Sequence, residues 1–200
     1  MSHTIVLATG NAGKVIEFNS LLTGLGLHIR PQSDFGVIEA EETGLSFIEN
    51  AIIKARNAAK HTGLPAMADD SGIEVDALNG APGIYSARYA GLNKSSADNN
   101  RKLLEALGDT PQEQRTARFQ CVMAYMRHAE DPTPMIAQGT WEGRILGAAR
   151  GEHGFGYDPI FWVPTHDCSA AELPEAIKNT LSHRALALQS LLAQIKGSHV

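Results

Sequence analysis

The beginning of the chain changes abruptly from the spacing of a strand to that of a helix. A short apolar run of the β type, from Thr4 to Ala8, ends at the glycine-containing turn Thr9-Gly10-Asn11. From Lys14 onward apolar side chains recur on one helical face. They are Val15, Phe18, Leu21, Leu22 and Leu25. Gly24 and Gly26 are expected to end this helix, so the segment is predicted to be a strand, a turn and a helix.

The remaining periodicity predicts further strands and helices, all within a single domain that covers residues 1–200. Strands are predicted at 64–68, 73–78, 118–127, 135–145 and 160–163, and helices at about 46–60, from Ser95 or Ser96 to 107, at 172–179 and at 182–195. Ser46 and Glu49 have the spacing of a capping box. The two strands around the turn 128–134 predict an antiparallel hairpin, which makes the sheet mixed and the fold class α/β.

Composition excludes several classes of protein. The net charge is -5 and the chain lacks a run of Lys and Arg, which argues against a general nucleic-acid binder. The two cysteines, Cys121 and Cys168, have neither metal-binding nor CxxC spacing. The N-terminus lacks the features of a signal peptide, and apolar stretches stay shorter than a membrane span. We therefore expect a cytoplasmic protein that binds neither nucleic acid nor membranes.

The turn Thr9-Gly10-Asn11-Ala12-Gly13-Lys14 is the first candidate for a binding site. A glycine turn between a strand and a helix exposes backbone N–H groups that attract phosphate, and Lys14 adds a positive charge. The Walker pattern is absent, because Ala8 stands at the place of its first glycine and Val15 follows the lysine. The segment alone fits an anion site and an ordinary strand–helix turn equally well.

Carboxylates form the second candidate. Asp69 and Asp70 follow an apolar strand, and ligands of open α/β sheets bind at the carboxyl ends of strands. Glu39, Glu41 and Glu42 supply a second source of carboxylates. Mg²⁺ bound together with phosphates typically uses one or two carboxylates and several waters. The alternative interpretation is that Asp69-Asp70-Ser71-Gly72 is simply a polar turn.

The third candidate is the segment Phe155-Gly156-Tyr157-Asp158 with the basic residues Lys178, His183 and Arg184. Aromatic rings in a loop can stack on a base, and Asp158 can accept a hydrogen bond from a base N–H. His183 and Arg184 are predicted in the first turn of a helix, where a cation opposes the helix dipole and calls for a compensating anion or acceptor. The alternative is that these are surface residues satisfied by water.

Taken in order, seven segments resemble the inosine triphosphate pyrophosphatase family, the non-canonical purine NTP pyrophosphatases. They are 7–14 (LATGNAGK), 41–44 (EETG), 47–51 (FIENA) with Lys54, 68–72 (ADDSG), 80–89 (GAPGIYSARY), 154–159 (GFGYDP), and Lys178 with 182–184 (SHR). The resemblance extends from Ile5 to about Leu192. It implies an elongated α/β fold with a central mixed sheet flanked by helices, two lobes with the active-site cleft between them, and a homodimer.

The resemblance also implies an activity and a set of site residues. The expected reaction is hydrolysis of ITP, dITP and XTP to the monophosphate and pyrophosphate, by attack of a Mg²⁺-bound water on the α-phosphorus. The implied roles are phosphate binding by Thr9, Gly10, Asn11, Ala12, Gly13, Lys14 and Lys54, Mg²⁺ binding by Glu41 and Asp70, catalysis by Asp70, substrate contact by Ser71, and base and sugar binding by Phe155, Gly156, Tyr157, Asp158, Lys178, His183 and Arg184. Glu42 is an alternative to Glu41 as metal ligand.

Selectivity for these purines has a chemical basis. Hypoxanthine and xanthine present a 6-oxo acceptor where adenine has a 6-amino donor. Donors from His183 or Arg184 aimed at this position would reject ATP, because a buried group left without its partner is costly. Two other functions stay open: a pyrophosphatase for modified pyrimidine or other nucleoside triphosphates, and a nucleotide-binding or sensing module without catalysis.

Overall fold

The computed structural model describes residues 4–22 and 28–197. The predicted end of the first helix at Gly24 and Gly26, together with Leu25, lies outside the described residues. The regular elements are β1 (Thr4–Leu7), α1 (Ala12–Leu22), β2 (His28–Pro31), α2 (Phe47–Thr62), β3 (Ala66–Val75), α3 (Ser96–Leu107), β4 (Thr116–Met126), β5 (Met135–Ile145), β6 (Phe161–Val163), β7 (Cys168–Ser169), α4 (Glu175–Leu181) and α5 (His183–Gly197). Of these, β2 and β7 were not predicted.

The strands form one sheet in the order β2-β1-β3-β4-β5-β6-β7. β1 pairs in parallel with β2 and with β3, the latter through Val6 and Ala66. β6 pairs antiparallel with both β5 and β7. The predicted α/β class with a mixed sheet is therefore confirmed.

β4 and β5 form the predicted antiparallel hairpin. The N–H of Ile145 donates to the carbonyl of Arg115 at 2.8 Å, and the hydroxyl of Thr140 donates to the side chain of Gln120 at 2.7 Å. From residue 115 to residue 120 the partners run back from 145 to 140, which is the antiparallel arrangement. The turn is held by Asp131, which accepts hydrogen bonds from the backbone N–H and the guanidinium of Arg127.

The predicted strands 64–68 and 73–78 are one strand, so the placement of Asp69 and Asp70 after a strand end is wrong, and so is the alternative that 69–72 is a polar turn. These residues lie in the middle of β3, which runs without interruption from Ala66 to Val75. Charged and small residues are depleted in strands because a buried carboxylate without a partner is costly. Here both carboxylates have partners from distant parts of the chain, so the strand continues through them.

The chain divides into two compact units. The first comprises Met1–Asp70, Cys121–Gly139 and Arg184–Val200, and the second comprises Ser71–Gln120 and Thr140–His183. β3, β4 and β5 contribute residues to both units. That the whole chain acts as one catalytic domain stays a prediction.

The core of the first unit follows the alternation of side chains along β1. Ile5 and Leu7 pack with Phe18 of α1 and Leu188 of α5, whereas Val6 packs against the opposite face together with α2. Successive side chains of a strand point to opposite faces, so one short strand serves two apolar clusters. The helices α1 and α5 therefore share one face of this part of the sheet, and α2 covers the other.

α2 forms where the sequence predicts it and lies close to the sheet. The hydroxyl of Ser46 accepts a hydrogen bond from the N–H of Glu49 at the start, and Gly63 ends the helix in the left-handed conformation. The buried face consists of alanines. They are Ala51, Ala55, Ala58 and Ala59. Such small side chains let the helix backbone approach the strands, which brings the polar residues of α2 within reach of β3.

The second unit has its own apolar core. Ile73 of β3, Leu103 of α3, Phe119 of β4 and Phe161 of β6 are buried in it together. Of the two serines that could begin α3, Ser95 is the cap, and it forms a complete capping box with Asp98. Among the described residues, every helix is too short or too polar to cross a membrane.

Candidate active site

Charged side chains from three helices, one strand and one loop come together in the first unit. We call this group the charged cluster; it consists of Lys14 and Glu17 of α1, Glu42, Asn50 and Lys54 in and before α2, Asp69 and Asp70 of β3, and Arg184 of α5. The sequence places its members up to 170 residues apart, from Lys14 to Arg184. The fold therefore assembles a polar site from segments that share no local pattern.

The predicted phosphate loop is the turn between β1 and α1. The side chain of Asn11 accepts a hydrogen bond from the N–H of Lys14 at 3.2 Å, which begins the helix, and the hydroxyl of Thr9 accepts one from the N–H of Asn11 at 3.2 Å. Gly10 lies against the carboxylate of Glu39, which is the end of an exposed and flexible side chain. The loop thus presents the N-terminus of a helix, the environment that favours an anion.

Asp69 faces α1 and α5. Its carboxylate is 2.8 Å from the ammonium of Lys14 and 3.3 Å from the guanidinium of Arg184, which also pairs with Glu17. Burial raises the pKa of Asp69, but the charges of Lys14 and Arg184 outweigh that effect and hold the pKa far below its usual range. Asp69 is therefore a permanent anion that fixes the position of Lys14.

Asp70 faces the other side of the sheet, toward α2. One carboxylate oxygen is 3.0 Å from the ammonium of Lys54, and the other accepts a hydrogen bond from the amide of Asn50 at 3.2 Å. Lys54 also pairs with Glu42 at 2.8 Å. Burial raises the pKa of Asp70, and Lys54 offsets only part of that effect. The pKa of Lys54 is itself raised, because the nearby carboxylates, Asp70 first, outweigh its burial.

The different surroundings of the two aspartates follow from their positions in β3. Consecutive residues of a strand point to opposite faces. Asp69 therefore meets the lysine of α1, and Asp70 meets the lysine of α2. Each of the two predicted phosphate-binding lysines is thereby paired with one aspartate, and each aspartate has a different second partner.

The two neighbouring glutamates before α2 are placed differently. Glu41 is exposed, and its carbonyl accepts a hydrogen bond from the N–H of Thr43 at 3.1 Å. Glu42 is half-buried, and its carboxylate converges with that of Asp70 on the ammonium of Lys54. The geometry brings Glu42 to Asp70 rather than Glu41, which no described contact links to the cluster. The metal-binding role of Glu41 stays a prediction.

The donor set fits a magnesium ion. Carboxylate oxygens are the hard ligands that Mg²⁺ takes, usually one or two together with phosphates and waters. Asp70 and Glu42 supply two such groups around one positively charged atom. Within residues 4–22 and 28–197, groups of three or more His, Cys, Asp or Glu in a metal-binding arrangement are absent. The two carboxylates of Asp70 and Glu42 are within the number that Mg²⁺ takes when it is bound together with phosphates.

Aromatic and basic residues form a second group, in the second unit. We call it the aromatic cluster; it consists of Phe155, Gly156, Tyr157, Asp158 and Lys178. Asp158 is buried, and its carboxylate accepts hydrogen bonds from the N–H of Phe155 at 2.8 Å and from Lys178 at 2.5 Å. The ammonium of Lys178 also lies 5.3 Å from the centre of the Phe155 ring. Asp158 therefore folds the loop around itself.

The aromatic rings of this cluster differ in exposure. Phe155 is 38% exposed, whereas Tyr157 is 5% exposed and donates its hydroxyl to the carbonyl of Ser86 at 2.8 Å. The ring of His183 is buried and stacks on Phe119 with the centroids 4.7 Å apart. A cavity of about 740 Å³ lined by Phe155, Gly156 and residues of α3 adjoins the loop. Of the two loop aromatics, Phe155 is the one that presents a face for stacking.

Most of the predicted site residues fall into one of these two groups. Ser71 lies half-buried in β3, next to Asp70 in the sequence. Arg184 pairs with Asp69 and Glu17, so the compensating anions that its position predicted are carboxylates of the protein. Its role in reading the base stays a prediction.

Sequence reasoning missed Asn50 and Glu17. Asn50 lies one helical turn before Lys54 on the same face of α2, and Glu17 lies three residues after Lys14 on α1. These spacings place their side chains beside a recognised site residue. The spacing of Asn50 and Glu17 from the two lysines can be read from the sequence. Their burial, which distinguishes them from surface residues, cannot.

Comparison with known proteins gives close relatives along nearly the whole chain. A dITP/XTP pyrophosphatase from Thioalkalivibrio sulfidiphilus is 66% identical over 193 residues, which cover 96% of this chain and 98% of the relative. A dITP/XTP pyrophosphatase from Vibrio cholerae is 62% identical over 192 residues and 96% of each chain.

Solved structures agree with the sequence relatives. A HAM1 protein from Coxiella burnetii matches with a TM-score of 0.91 and 50% identity over 98% of this chain and 100% of that one. The Ham1 protein of Staphylococcus aureus matches with a TM-score of 0.86 and 44% identity, covering 97% and 98%. The family model described as the Ham1 family matches residues 5–194. The chain is a member of the Ham1 family.

Proposed function

We propose that the chain hydrolyses inosine and xanthosine triphosphates (ITP, dITP and XTP) to the nucleoside monophosphate and pyrophosphate, which removes them from the nucleotide pool. The relatives named dITP/XTP pyrophosphatase, at about 60% identity over nearly the full chain, support this activity. The observation that carries it in the structure is Asp70, held between Asn50 and Lys54 in a cluster with a second carboxylate. A cytoplasmic homodimer is part of the proposal.

The phosphates of the substrate are assigned to the loop from Thr9 to Lys14 and to Lys54. A helix N-terminus and two lysines provide fixed positive charge for a triphosphate. Ion pairs hold each ammonium in the free protein: Asp69 holds that of Lys14, and Asp70 and Glu42 hold that of Lys54. Such preorganised charge stabilises the negative charge that develops on the phosphate oxygens and on the departing pyrophosphate.

Mg²⁺ is assigned to Asp70 with one glutamate of the pair 41–42, and the contact between Glu42 and Lys54 favours Glu42. When bound, the ion neutralises phosphate charge and lowers the pKa of water. Exchanging each glutamate for glutamine separates the two: the variant that loses the ligand needs more Mg²⁺ for half-maximal activity, and the other behaves as the parent protein does.

Asp70 is assigned as the group that orients the attacking water and accepts its proton. The water attacks the α-phosphorus, the bond to the β-phosphate oxygen breaks, and pyrophosphate leaves with that electron pair. A carboxylate with an ordinary pKa is a weak base at neutral pH. Burial raises the pKa of Asp70 in the protein without metal; a coordinated Mg²⁺ would lower the pKa of the water, so Asp70 need not be a strong base.

The base is assigned to the aromatic cluster. The exposed face of Phe155 stacks on the purine, and Lys178 and Asp158 fix the loop that carries this ring. His183 and Arg184 are the two donors that the sequence proposes for the 6-oxo group. If the Arg184→Ala variant kept the parent ratio of ITP to ATP hydrolysis, its part in reading the base would be excluded.

The first experiment is pyrophosphate release from ITP, dITP, XTP, GTP, ATP, UTP and CTP, each with and without Mg²⁺. We expect fast, metal-dependent release from ITP, dITP and XTP and little from the other four. A preference for pyrimidines would favour a pyrophosphatase with another substrate, and tight binding without release would favour a sensing module. Either result contradicts the proposal.

A further inference from the structure

The side chain of Asn50 makes contacts on both sides of the proposed metal site. It is fully buried, at 0% exposed, in the first turns of α2. Its Nδ2 donates to Asp70 at 3.2 Å, and its Oδ1 accepts from the backbone N–H of Gly44 at 2.9 Å. Buried amides need partners for both ends. Here the two partners belong to different segments, β3 and the loop before α2.

The orientation of this amide is determined by its partners. A carboxylate only accepts hydrogen bonds, and a backbone N–H only donates. The reverse orientation would place the amide oxygen of Asn50 against Asp70 and its NH₂ against the N–H of Gly44. The observed orientation is therefore the one that satisfies both, and it requires an amide of this length.

The amide nitrogen of Asn50 holds the carboxylate of Asp70. The two oxygens of Asp70 are bound by two side chains of α2 that lie one turn apart, Asn50 and Lys54. Lys54 has a long flexible stem and a charge that a phosphate attracts. Asn50 is short, neutral and buried. Where a phosphate competes with Asp70 for the Lys54 ammonium, the hydrogen bond from Asn50 still holds the other oxygen of Asp70.

The amide oxygen of Asn50 holds the loop that carries the glutamates, through the N–H of Gly44. A Cβ on Gly44 would lie 2.7 Å from the Oδ1 of Asn50 and 2.6 Å from the Cβ of Glu49, so the loop lies directly on the helix at this point. The N–H of Leu45 also donates to Glu49 at 2.9 Å. Glu42 is two residues before Gly44, and its carboxylate reaches Lys54. Anchoring Gly44 therefore positions Glu42.

We propose that Asn50 is a positioning residue that sets the relative placement of the two carboxylates, Asp70 and Glu42, that are assigned to the metal. This inference rests on the proposed function. Hydrogen-bond partners of ligating carboxylates typically change metal affinity or activity by about 10- to 100-fold when they are removed. A positioning role therefore predicts a change in turnover and in metal binding with little change in nucleotide binding.

The test compares Asn50→Leu, which keeps the approximate shape and removes both hydrogen bonds, with Asn57→Leu. Asn57 lies on the same helix and anchors the carbonyl of Ile38 at 2.9 Å, outside the charged cluster. For Asn50→Leu we expect a fall in kcat for ITP of about 10- to 100-fold, a KM within about threefold, and weaker binding of Mn²⁺ to the free protein by electron paramagnetic resonance. Asn57→Leu is expected to stay within about twofold of the parent protein in all three, as surface changes away from a site usually do.

A second variant keeps the inference testable if Asn50→Leu does not fold. Asn50→Asp keeps an acceptor for Gly44 and replaces the donor to Asp70 with an anion. We expect its kcat to fall about as far as that of Asn50→Leu, even where Mn²⁺ still binds. The positioning role would be overturned if Asn50→Asp kept the kcat of the parent protein. It would also be overturned if Asn50→Leu had a lower melting temperature but the kcat and Mn²⁺ affinity of the parent protein. Absence of pyrophosphate release from the parent protein would instead refute the proposed function, and the Mn²⁺ comparison would still test the role of Asn50.

Discussion

The charged cluster and the aromatic cluster keep their side chains in place by different means. In the charged cluster, Lys54 bridges two carboxylates and Arg184 bridges two others, so ions position one another. In the aromatic cluster, the pair of Asp158 and Lys178 is held by a loop N–H and by ring packing. The first arrangement depends on the balance of several linked charges, and the second on one buried ion pair together with the shape of a loop.

This difference predicts how each cluster responds to substitution. Removing one charge from a bridged set leaves its partners unbalanced in a buried environment, which is costly. We therefore expect changes in the charged cluster to act on the chemical step. Changes in the aromatic cluster alter a surface for stacking, and we expect them to act on substrate binding.

Asp70→Asn is expected to have the largest effect. The change keeps the size of the side chain but removes the charge that would orient water and accept its proton. General base catalysis typically contributes between 10² and 10⁴ in rate, so kcat for ITP should fall by about 10³-fold. Pyrophosphate release measures it, with circular dichroism as the check on folding. Asp34→Asn, in an exposed pair with Arg30, is the control, and near-normal turnover by Asp70→Asn would refute the assignment.

Lys54→Met should have the next largest effect. The variant loses the ammonium that balances Asp70 and Glu42 and that is assigned to the phosphates. Removing one preorganised donor typically costs about 10²- to 10³-fold, and we expect kcat/KM for ITP to fall by about 10²-fold. Lys60→Met, on the exposed side of the same helix, is the matched control. If kcat/KM fell equally in both variants, any positive charge on α2 would have the same effect. The contact of Lys54 with Asp70 and Glu42 would then have no specific role.

Phe155→Ala tests the other side of the comparison. Stacking of a base on an aromatic side chain is worth about 1 to 3 kcal/mol, so the KM for ITP should rise by about tenfold while kcat stays within about twofold. Tyr85→Ala, another exposed aromatic of the same unit, is the control. A fall in kcat with an unchanged KM would show that the aromatic cluster takes part in the chemical step, and the distinction between the clusters would fail.

The predicted elements were right where the signal is local. The helix α2 was predicted from its alanine face and the spacing of Ser46 and Glu49, and the cap is present. The turn from Thr9 to Lys14 was predicted from a strand, a glycine and a helix, and it joins β1 to α1; its phosphate-binding role stays a prediction. Caps and periodicity depend on residues within a few positions of one another, so one sequence contains the necessary information.

The conformation of Asp69 and Asp70 was not predicted, because the side chains that pair with them lie far away along the sequence. Lys14 lies 55 residues before Asp69, and Arg184 lies 115 residues after it. Two adjacent charged residues predict a turn when they are solvated. With a partner on each face of the sheet they fit a strand, and the alternation of the strand then gives each aspartate its own lysine. The sequence identified these residues as a candidate site but not the conformation that separates their roles.

The smallest expected effect is on stability in acid, and it concerns Asp69. Its pKa in the folded protein is held below the usual range, so its contribution to the free energy of unfolding is present above the unfolded pKa of about 4. That contribution is lost as the pH falls toward the folded pKa. One carboxylate changes stability by at most about 1.4 kcal/mol per pH unit. Urea unfolding of the parent and of Asp69→Asn should therefore show a gap that is constant from pH 7 to 5 and narrows below pH 4.

The matched measurement on Asp34→Asn gives this result its meaning. Asp34 is 41% exposed in its pair with Arg30, and exposed pairs are worth little. Narrowing in Asp69→Asn but not in Asp34→Asn would show that the ion pairs of the charged cluster stabilise the first unit as well as positioning Lys14. If the free energy of unfolding of Asp69→Asn ran parallel to that of the parent protein across this pH range, the attraction in the buried pairs of Asp69 would only offset the cost of desolvating them. The bridged ions would then position Lys14 without stabilising the fold, and the contrast with the aromatic cluster would hold for function alone.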